Sequence, residues 1–258
     1  MKVLLLGNSN DGGSWIGEGR KRHEIVAEQL EQLIGQPVEV VTKSIWPNPG
    51  LARVVDSWVE QHEPDVVYLT MLAYWFQYRS VPLRVRRLLG PLGPGVSDAG
   101  FRFAESPRWA HNAVFRTIRR SLQRTVGGDT HFTPEEVVDR VTEVIRVLLR
   151  HEGLVVAIQG ADGRTDYAFS RRGRKRNEQR RIYVDRHMRE WCREHHVTYE
   201  NSESAVFAID PVLAKNRVGD GLHANAQWHE HSAGLITRTI EHALRDSGVL
   251  PASSSQNS

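Results

Sequence analysis

The apolar residues of the chain follow two alternating patterns. Short continuous apolar runs, typical of strands buried on both faces of a sheet, are found at Val3–Leu6, Val38–Val41, Asp65–Met71, Leu154–Gln159 and Val197–Ala208. Segments with apolar residues at helical spacing occur between and after them, at His23–Ile34, Leu51–Val59, Thr133 to about His151, Glu178–Glu194 and Asn225–Leu244. Repeated strand–helix units predict an α/β fold with a parallel sheet and helices on both faces.

Two of these helices have recognisable end signals. Gly35 follows the first helical segment and is expected to stop it, because glycine readily takes the left-handed conformation of a helix end. Thr133, Pro134 and Glu136 predict a helix start in which threonine is the cap, proline is the first residue and glutamate closes a capping box.

The stretch from about 74 to 130 is the least regular part of the chain. It contains the segment GPLGPG and several arginines, and we interpret it as an insert that forms a lid or a pocket wall. We find neither an internal repeat nor a convincing linker. The sequence therefore predicts one domain over residues 1–246, followed by a disordered tail at 247–258.

Composition narrows the class of protein. A hydrophobic fraction of 40%, a charged fraction of 25% and a net charge of +3 are ordinary for a globular domain and do not favour nucleic acid or a membrane. The single cysteine, Cys192, excludes an intrachain disulfide framework. No segment approaches the roughly 20 apolar residues of a membrane span, and the first apolar run is too short for a signal peptide. We expect a cytoplasmic protein.

Candidate chemistry lies at opposite ends of the chain. Ser9 follows the first strand in VLLLGNSND, and Asp220 and His223 form a D-x-x-H pair before the last helix in GDGLHANAQWHEHSAG. A serine nucleophile needs a base, and the base needs a group that fixes its tautomer. Ligands bind beyond the carboxyl ends of parallel strands, which is where Ser9 is expected. The pattern favours serine-type acyl chemistry.

Each motif also has a simpler interpretation. The loop at Ser9 could be an ordinary polar turn, whereas a dinucleotide site is disfavoured because G-x-G-x-x-G and an acidic residue after the second strand are missing. Asp220 could cap a helix beside a surface histidine. His229 and His231 suggest a metal, but residues two apart on a helix point in different directions. We therefore predict no metal.

Together the two segments resemble the SGNH/GDSL hydrolase superfamily over roughly residues 1–246. The resemblance implies a flavodoxin-like three-layer α/β/α sandwich with a parallel, five-stranded sheet. It implies that Ser9 is the nucleophile, His223 the general base and Asp220 its orienting partner. It also implies an oxyanion hole containing the amides of Ser9 and Gly50, and no cofactor.

The chain departs from the family pattern at two places. Asn8 stands where the family has an aspartate before the serine, and the G-x-N-D block expected after DVVYLTM is missing. Losing one oxyanion donor typically costs about 10²–10³ in rate. Another donor could substitute, and the candidates are Tyr74, Gln77, Asn10 and Asn48. Alternatively the protein is an acyltransferase to a sugar or natural-product acceptor, or a catalytically silent binding protein.

The remaining predictions concern substrate and partners. We expect Asn8, Asn10, Tyr74 and Trp75 to contact a small ester or acylated substrate at the mouth of the sheet. Two basic stretches could meet an acidic group: Arg79 with Arg84, Arg86 and Arg87, and the run Arg171–Arg176. We favour a solvated helix face for the first and an exposed basic loop for the second over nucleic-acid or acidic-partner binding. The oligomeric state is left open.

Overall fold

The computed structural model describes residues 1–7, 20–80, 83–84, 87–88, 117, 121, 128–161, 170–201 and 226–251. The described strands are β1 (Lys2–Gly7), β2 (Glu39–Ser44), β3 (Val66–Thr70), β4 (Val155–Gln159) and β5 (Thr198–Glu200). The described helices are α1 (Arg22–Ile34), α2 (Leu51–His62), α3 (Tyr74–Gln77), α4 (Pro134–Leu148), α5 (Arg171–Glu194) and α6 (Ala226–Asp246).

The strands form one sheet in the order β2-β1-β3-β4-β5, and every neighbouring pair is parallel. This is the flavodoxin-like order, so the five-stranded parallel sheet predicted from the sequence is confirmed. Because every strand runs the same way, all five carboxyl ends lie at one edge of the sheet.

Alternate residues of the central strands enter two separate hydrophobic cores. In β1, Leu4 and Leu6 face one core, whereas Val3 and Leu5 face the other. Both cores exclude solvent, which is why β1 is apolar at every position from Val3 to Leu6. Helices α1 and α6 cover one face of the sheet, and α2, α4 and α5 cover the opposite face. The result is the expected three-layer sandwich.

The predicted helix ends at residues 35 and 133 are confirmed. Gly35 has φ 74°, in the left-handed region, and its N–H donates to Glu31 O at 2.8 Å. The amide of Glu136 donates to Thr133 Oγ1 at 3.2 Å, and the amide of Thr133 donates to Glu136 Oε2 at 2.7 Å. These reciprocal bonds satisfy two amides that would otherwise lack partners at the start of α4.

The prediction of a basic loop at Arg171–Arg176 is wrong, because these residues form the first turns of α5. Ser170 caps the helix by accepting a hydrogen bond from Gly173 N at 3.0 Å. Arginine and lysine are good helix formers, so a capped run of them extends the helix toward the N-terminus.

Some predictions concern residues outside the described ranges. The last strand was expected at Val197–Ala208, and β5 is described only at Thr198–Glu200, with residues 202–210 outside the described part. Most of the insert expected at about 74–130 and the tail after residue 251 are also outside it. Among the described residues, no helix has both the length and the apolarity that crossing a membrane requires.

Candidate active site

The sheet has its topological switch point between β1 and β3. The connection from β1 to β2 runs through α1 on one face, and the connection from β3 to β4 passes through α4 on the other. Connections that leave neighbouring strands in opposite directions open a crevice at the carboxyl edge, where α/β proteins bind ligands. Here that crevice lies beyond Gly7 and Thr70, the last residues of β1 and β3.

The end of β1 is held beside the end of β2. Gly7 pairs with Ser44 in the sheet, and the amide of Ile45 donates to Gly7 O at 3.0 Å. The chain leaves this ladder at Gly7, two residues before Ser9. Ser9 and its neighbours Asn8 and Asn10 lie outside the described residues, as do Asp220 and His223.

The two helices that follow these residues in sequence are joined at their starts. The amide of Arg22, at the start of α1, donates to His229 Nδ1 at 3.2 Å, and its guanidinium Nη1 donates to Ser232 Oγ at 2.8 Å. All three side chains are buried. Helix α1 follows the Ser9 segment in the sequence and α6 follows the Asp220–His223 segment, so the contact joins the helices that begin after the two segments.

This contact also gives His229 a role that the sequence did not indicate. Its Nδ1 satisfies a backbone amide in the first turn of α1, a group for which the helix itself supplies no acceptor. Within the described ranges, no group of three or more histidine, cysteine or acidic residues is arranged to hold a metal ion.

Gly50 was predicted from the resemblance to be an oxyanion donor. It precedes α2 with φ 86°, a conformation that residues with a Cβ rarely adopt, and it is exposed. No acceptor for its N–H is found among the described residues. An exposed amide at the start of a helix is suited to an oxyanion, because the helix dipole adds to its partial positive charge.

The residues that could replace the missing asparagine as an oxyanion donor have different surroundings. Gln77 is fully buried, and its Nε2 donates to the carbonyl oxygen of Asn177 in α5 at 3.2 Å. This bond fixes the amide against α5, so Gln77 is a poor substitute for the missing asparagine. Asn48 is exposed in the loop before α2, Tyr74 is half-buried at the start of α3, and Asn10 is outside the described residues.

Tyr74 and Trp75 were both expected to contact substrate, and the structure separates them. Trp75 is 0% exposed and packs with Phe76 in the core beneath α2 and α4. A side chain without exposed surface does not suit a substrate contact, whereas the half-buried Tyr74 does. Neighbouring residues of a short helix point in different directions, which explains the difference.

Tyr74 belongs to a group of four rings that we call the aromatic wall: Trp46, Tyr74, Tyr78 and His131. The ring of Tyr74 stacks on that of Tyr78 with centroids 4.6 Å apart, and the ring of His131 lies 5.0 Å from that of Trp46 and 5.6 Å from that of Tyr74. Trp46 remains 38% exposed. Burial lowers the pKa of His131, which keeps its imidazole neutral near pH 7.

Sequence reasoning missed Trp46 and His131. Trp46 is the second residue after β2, and β2 ends at the same edge of the sheet as β3, which Tyr74 follows. A rule that examines aromatic residues after every strand would have found Trp46. His131 precedes the threonine cap of α4, and only the fold brings it to the other rings.

Comparison with solved structures identifies the architecture. A lipase from a goat rumen metagenome, Lip_vut3, is 10% identical with a TM-score of 0.51 over 94% of this chain and 97% of that one. A protein from Parabacteroides merdae described as a GDSL-like lipase is 11% identical with a TM-score of 0.51 over 96% of each chain. The chain has the SGNH hydrolase fold.

A third structure extends this comparison. The family 3 carbohydrate esterase of Clostridium thermocellum is 12% identical with a TM-score of 0.50, over 95% of this chain and 97% of that one. No protein-family model and no curated protein sequence matches the chain. The SGNH hydrolase fold is therefore evident from the three-dimensional arrangement.

Proposed function

We propose that this protein is a serine-dependent ester hydrolase that works through an acyl-serine intermediate. The main support is the contact of Arg22 with His229 and Ser232, which joins the helices that follow the two catalytic segments. The segments of Ser9 and of Asp220 and His223 are proposed to meet beside this contact, at one corner of the switch-point crevice. Solved structures with this fold include proteins described as lipases and a carbohydrate esterase, which agrees with the proposal.

In the proposed reaction, Ser9 attacks the ester carbonyl while His223 accepts its proton and Asp220 stabilises the imidazolium. The negative charge of the tetrahedral intermediate is held by the amides of Ser9 and Gly50. Collapse of the intermediate releases the alcohol, which takes the proton from His223. Water, activated by the same histidine, then hydrolyses the acyl-serine and returns the enzyme to its starting state.

The aromatic wall is proposed to line the substrate pocket. It lies at the carboxyl edge next to the exit of β1, since Ile45 bonds to Gly7 and Trp46 is the following residue. Exposed aromatic faces suit acyl chains, aromatic groups and sugar rings. This position supports Tyr74 as a substrate contact.

An acyltransferase is the second candidate. The observation that favours it is the placement of Gln77, which is buried against α5 and therefore leaves the oxyanion hole without that donor. An enzyme with a weaker oxyanion hole could depend on a bound alcohol acceptor in place of water. Turnover in water compared with turnover on added sugar alcohols separates the two activities.

The test of both candidates is labelling with a fluorophosphonate, with the modified residue located by peptide mass spectrometry. We expect a single adduct on Ser9 that is absent from Ser9→Ala and slower to form in His223→Ala. Ser14→Ala is the matched control, since Ser14 occupies the same segment and should not affect labelling. A folded wild-type protein that resists labelling would contradict both the hydrolase and the transferase.

A further inference from the structure

The two basic stretches of the sequence meet in the folded protein. Arg180, in the first half of α5, donates from Nη1 to the carbonyl oxygen of Phe76 in α3 at 2.9 Å. Burial lowers the pKa of Arg79, and Arg176 and Arg180 lower it further. Burial also lowers the pKa of Arg180, again with a contribution from Arg176. These three guanidinium groups lie within electrostatic reach of one another, and we call them the arginine cluster.

Two carboxylates oppose these effects in part: Asp129 acts to raise the pKa of Arg79 and Glu135 that of Arg180, but both pKa values stay lowered. Asp129 is already shared, because its Oδ1 is 3.3 Å from Arg84 Nη1 and its Oδ2 is 3.7 Å from Arg87 Nη1. In the part of the chain that the structure describes, no carboxylate is within ion-pair distance of Arg176 or Arg180. The Nε atom of Arg176 is buried and has no hydrogen-bond partner. The three guanidinium groups thus lie close together, and of the two carboxylates that act on them, Asp129 is shared with Arg84 and Arg87.

The second half of the same helix is built differently. There Arg189 pairs with Asp185 at 2.8 Å and Arg186 with Glu190 at 3.8 Å, both at the spacing of one helical turn. Arg186 and Arg189 therefore have the usual arrangement of a solvated helix face. Arg176 and Arg180 lack such ion pairs, so the arrangement of a solvated helix face does not explain why they cluster.

Unpaired polar atoms belong to two neighbours of the cluster in sequence: Gln77 follows Phe76, the acceptor of Arg180, and Asn177 follows Arg176. Gln77 and Asn177 are both 0% exposed, and one hydrogen bond joins them. The other amide atoms, Gln77 Oε1 and both Oδ1 and Nδ2 of Asn177, are buried and have no hydrogen-bond partner. Buried polar atoms without partners are rare and costly, so they indicate a polar occupant that completes the site.

We propose that the arginine cluster binds a phosphate group carried by the ester substrate. Guanidinium groups bind phosphate oxygens with paired hydrogen bonds, and a dianion balances more of the cluster's charge than a carboxylate can. Helix α3 begins four residues after the end of β3, with Tyr74 of the aromatic wall at its first position and the carbonyl of Phe76 bonded to Arg180. The substrate assignment, a phosphate-bearing ester, rests on the proposed hydrolase function.

The first experiment measures phosphate binding without catalysis. Melting temperatures are compared for wild type, Arg176→Gln, Arg180→Gln and the control variants Arg172→Gln and Arg174→Gln, in inorganic phosphate, sulfate or acetate at equal ionic strength. Arg172 and Arg174 are exposed residues of the same run. We expect phosphate to stabilise wild type and both controls more than acetate does, and this difference to be lost in Arg176→Gln and Arg180→Gln. Arg180→Lys keeps the positive charge, so this variant should retain part of the extra stabilisation by phosphate.

The second experiment compares hydrolysis of acetylglycerol and acetylglycerol phosphate, which differ only in the phosphate. We compare the kcat/KM of the phosphorylated ester with that of the neutral ester. The ratio of the two should fall about tenfold in Arg176→Gln and Arg180→Gln, because each variant loses one charge-assisted hydrogen-bonded pair. The fall should come from a higher KM for the phosphorylated ester. In Arg172→Gln the ratio should equal that of wild type.

The outcomes separate this proposal from the proposed function. Phosphate stabilisation no greater than that by acetate, or an equal loss in Arg172→Gln and Arg176→Gln, would overturn the phosphate site. The phosphate site would also be overturned if the protein bound single-stranded RNA and all four glutamine variants weakened that binding equally. That result would indicate a basic surface distributed along the helix. Phosphate stabilisation that depends on Arg176 and Arg180 in a protein without esterase activity would support the site and contradict the hydrolase.

Discussion

The two helical layers of this protein contribute different parts of the candidate site. The layer of α1 and α6 follows the segments with Ser9, Asp220 and His223 and is joined by buried hydrogen bonds between Arg22, His229 and Ser232. The opposite layer of α2, α4 and α5, with α3 between them, supplies Gly50, the aromatic wall and the arginine cluster.

The difference suggests a division of tasks across the sheet. In the proposed mechanism, the groups that break and form bonds belong to the segments that precede α1 and α6, and the groups proposed to recognise the substrate belong to the side of α2, α4 and α5. Changes in the first layer should therefore lower kcat, whereas changes in the second should mainly alter KM or substrate preference. Gly50 is the exception, because its amide would stabilise the transition state from the recognition side.

The largest effect is expected for Ser9→Ala. Removing the nucleophile of a serine enzyme lowers kcat by about 10⁴-fold or more, because no acyl-serine can form. Steady-state hydrolysis of 4-nitrophenyl acetate measures it, with Ser14→Ala as the control from the same segment. Activity within tenfold of wild type in Ser9→Ala would exclude Ser9 as the nucleophile.

Gly50→Ala should have the next largest effect. A Cβ disfavours φ 86° and would turn the backbone amide away from the oxyanion, which we expect to lower kcat by about 10²-fold. Gly35→Ala is the matched control, because Gly35 has φ 74° and, like Gly50, has open space where a Cβ would lie. Both variants should lose about 1–2 kcal/mol of stability. Equal activity in the two variants would show that Gly50 is only a turn residue.

Ser232→Ala should have a moderate effect on both stability and activity. It leaves a buried guanidinium hydrogen of Arg22 without its acceptor, which costs about 1–3 kcal/mol and loosens the contact between the starts of α1 and α6. Denaturant unfolding and kcat are measured together. Thr237→Ala removes another bond between the same helices, to Gln29 at 2.8 Å, farther along α6 from its start. Similar kcat losses in both variants would contradict a local role for Arg22.

The smallest effect is expected for Tyr74→Ala. Loss of one ring from the aromatic wall should raise KM for esters of aromatic or long-chain acids several-fold and leave kcat nearly unchanged. The control is Tyr183→Ala, whose ring packs on His187 in α5. Kinetics with acetate and octanoate esters measure the change. A uniform fall in kcat for both esters would place Tyr74 in the chemistry and not in recognition.

The sheet could be predicted from the sequence because burial on both faces makes a strand continuously apolar. Residues Val3–Leu6 are such a run, and β1 extends it by one residue at each end, to Lys2 and Gly7. The start of α5 could not be predicted in the same way. Its first turns contain almost no apolar residues, so they lack the periodicity that reveals a helix, and only the cap at Ser170 marks the start.

The parts of the site that sequence reasoning missed depend on contacts between distant residues. Tyr74 and Trp75 are adjacent in sequence, and packing against α2 and α4 decides which of them is buried. Arg79 and Arg176 belong to stretches that looked like separate solvated surfaces. Arg176 lowers the pKa of Arg79 only because α5 packs on α3.

The most direct test of the account is to trap the acyl-enzyme. The protein is mixed with 4-nitrophenyl acetate, quenched in acid within the first turnover, and mapped by peptide mass spectrometry. The account predicts a burst of nitrophenolate equal to the enzyme concentration and an acetyl group on Ser9, both absent from Ser9→Ala. Turnover without a burst, or an acetyl group on another residue that persists in Ser9→Ala, would contradict the proposed acyl-serine mechanism.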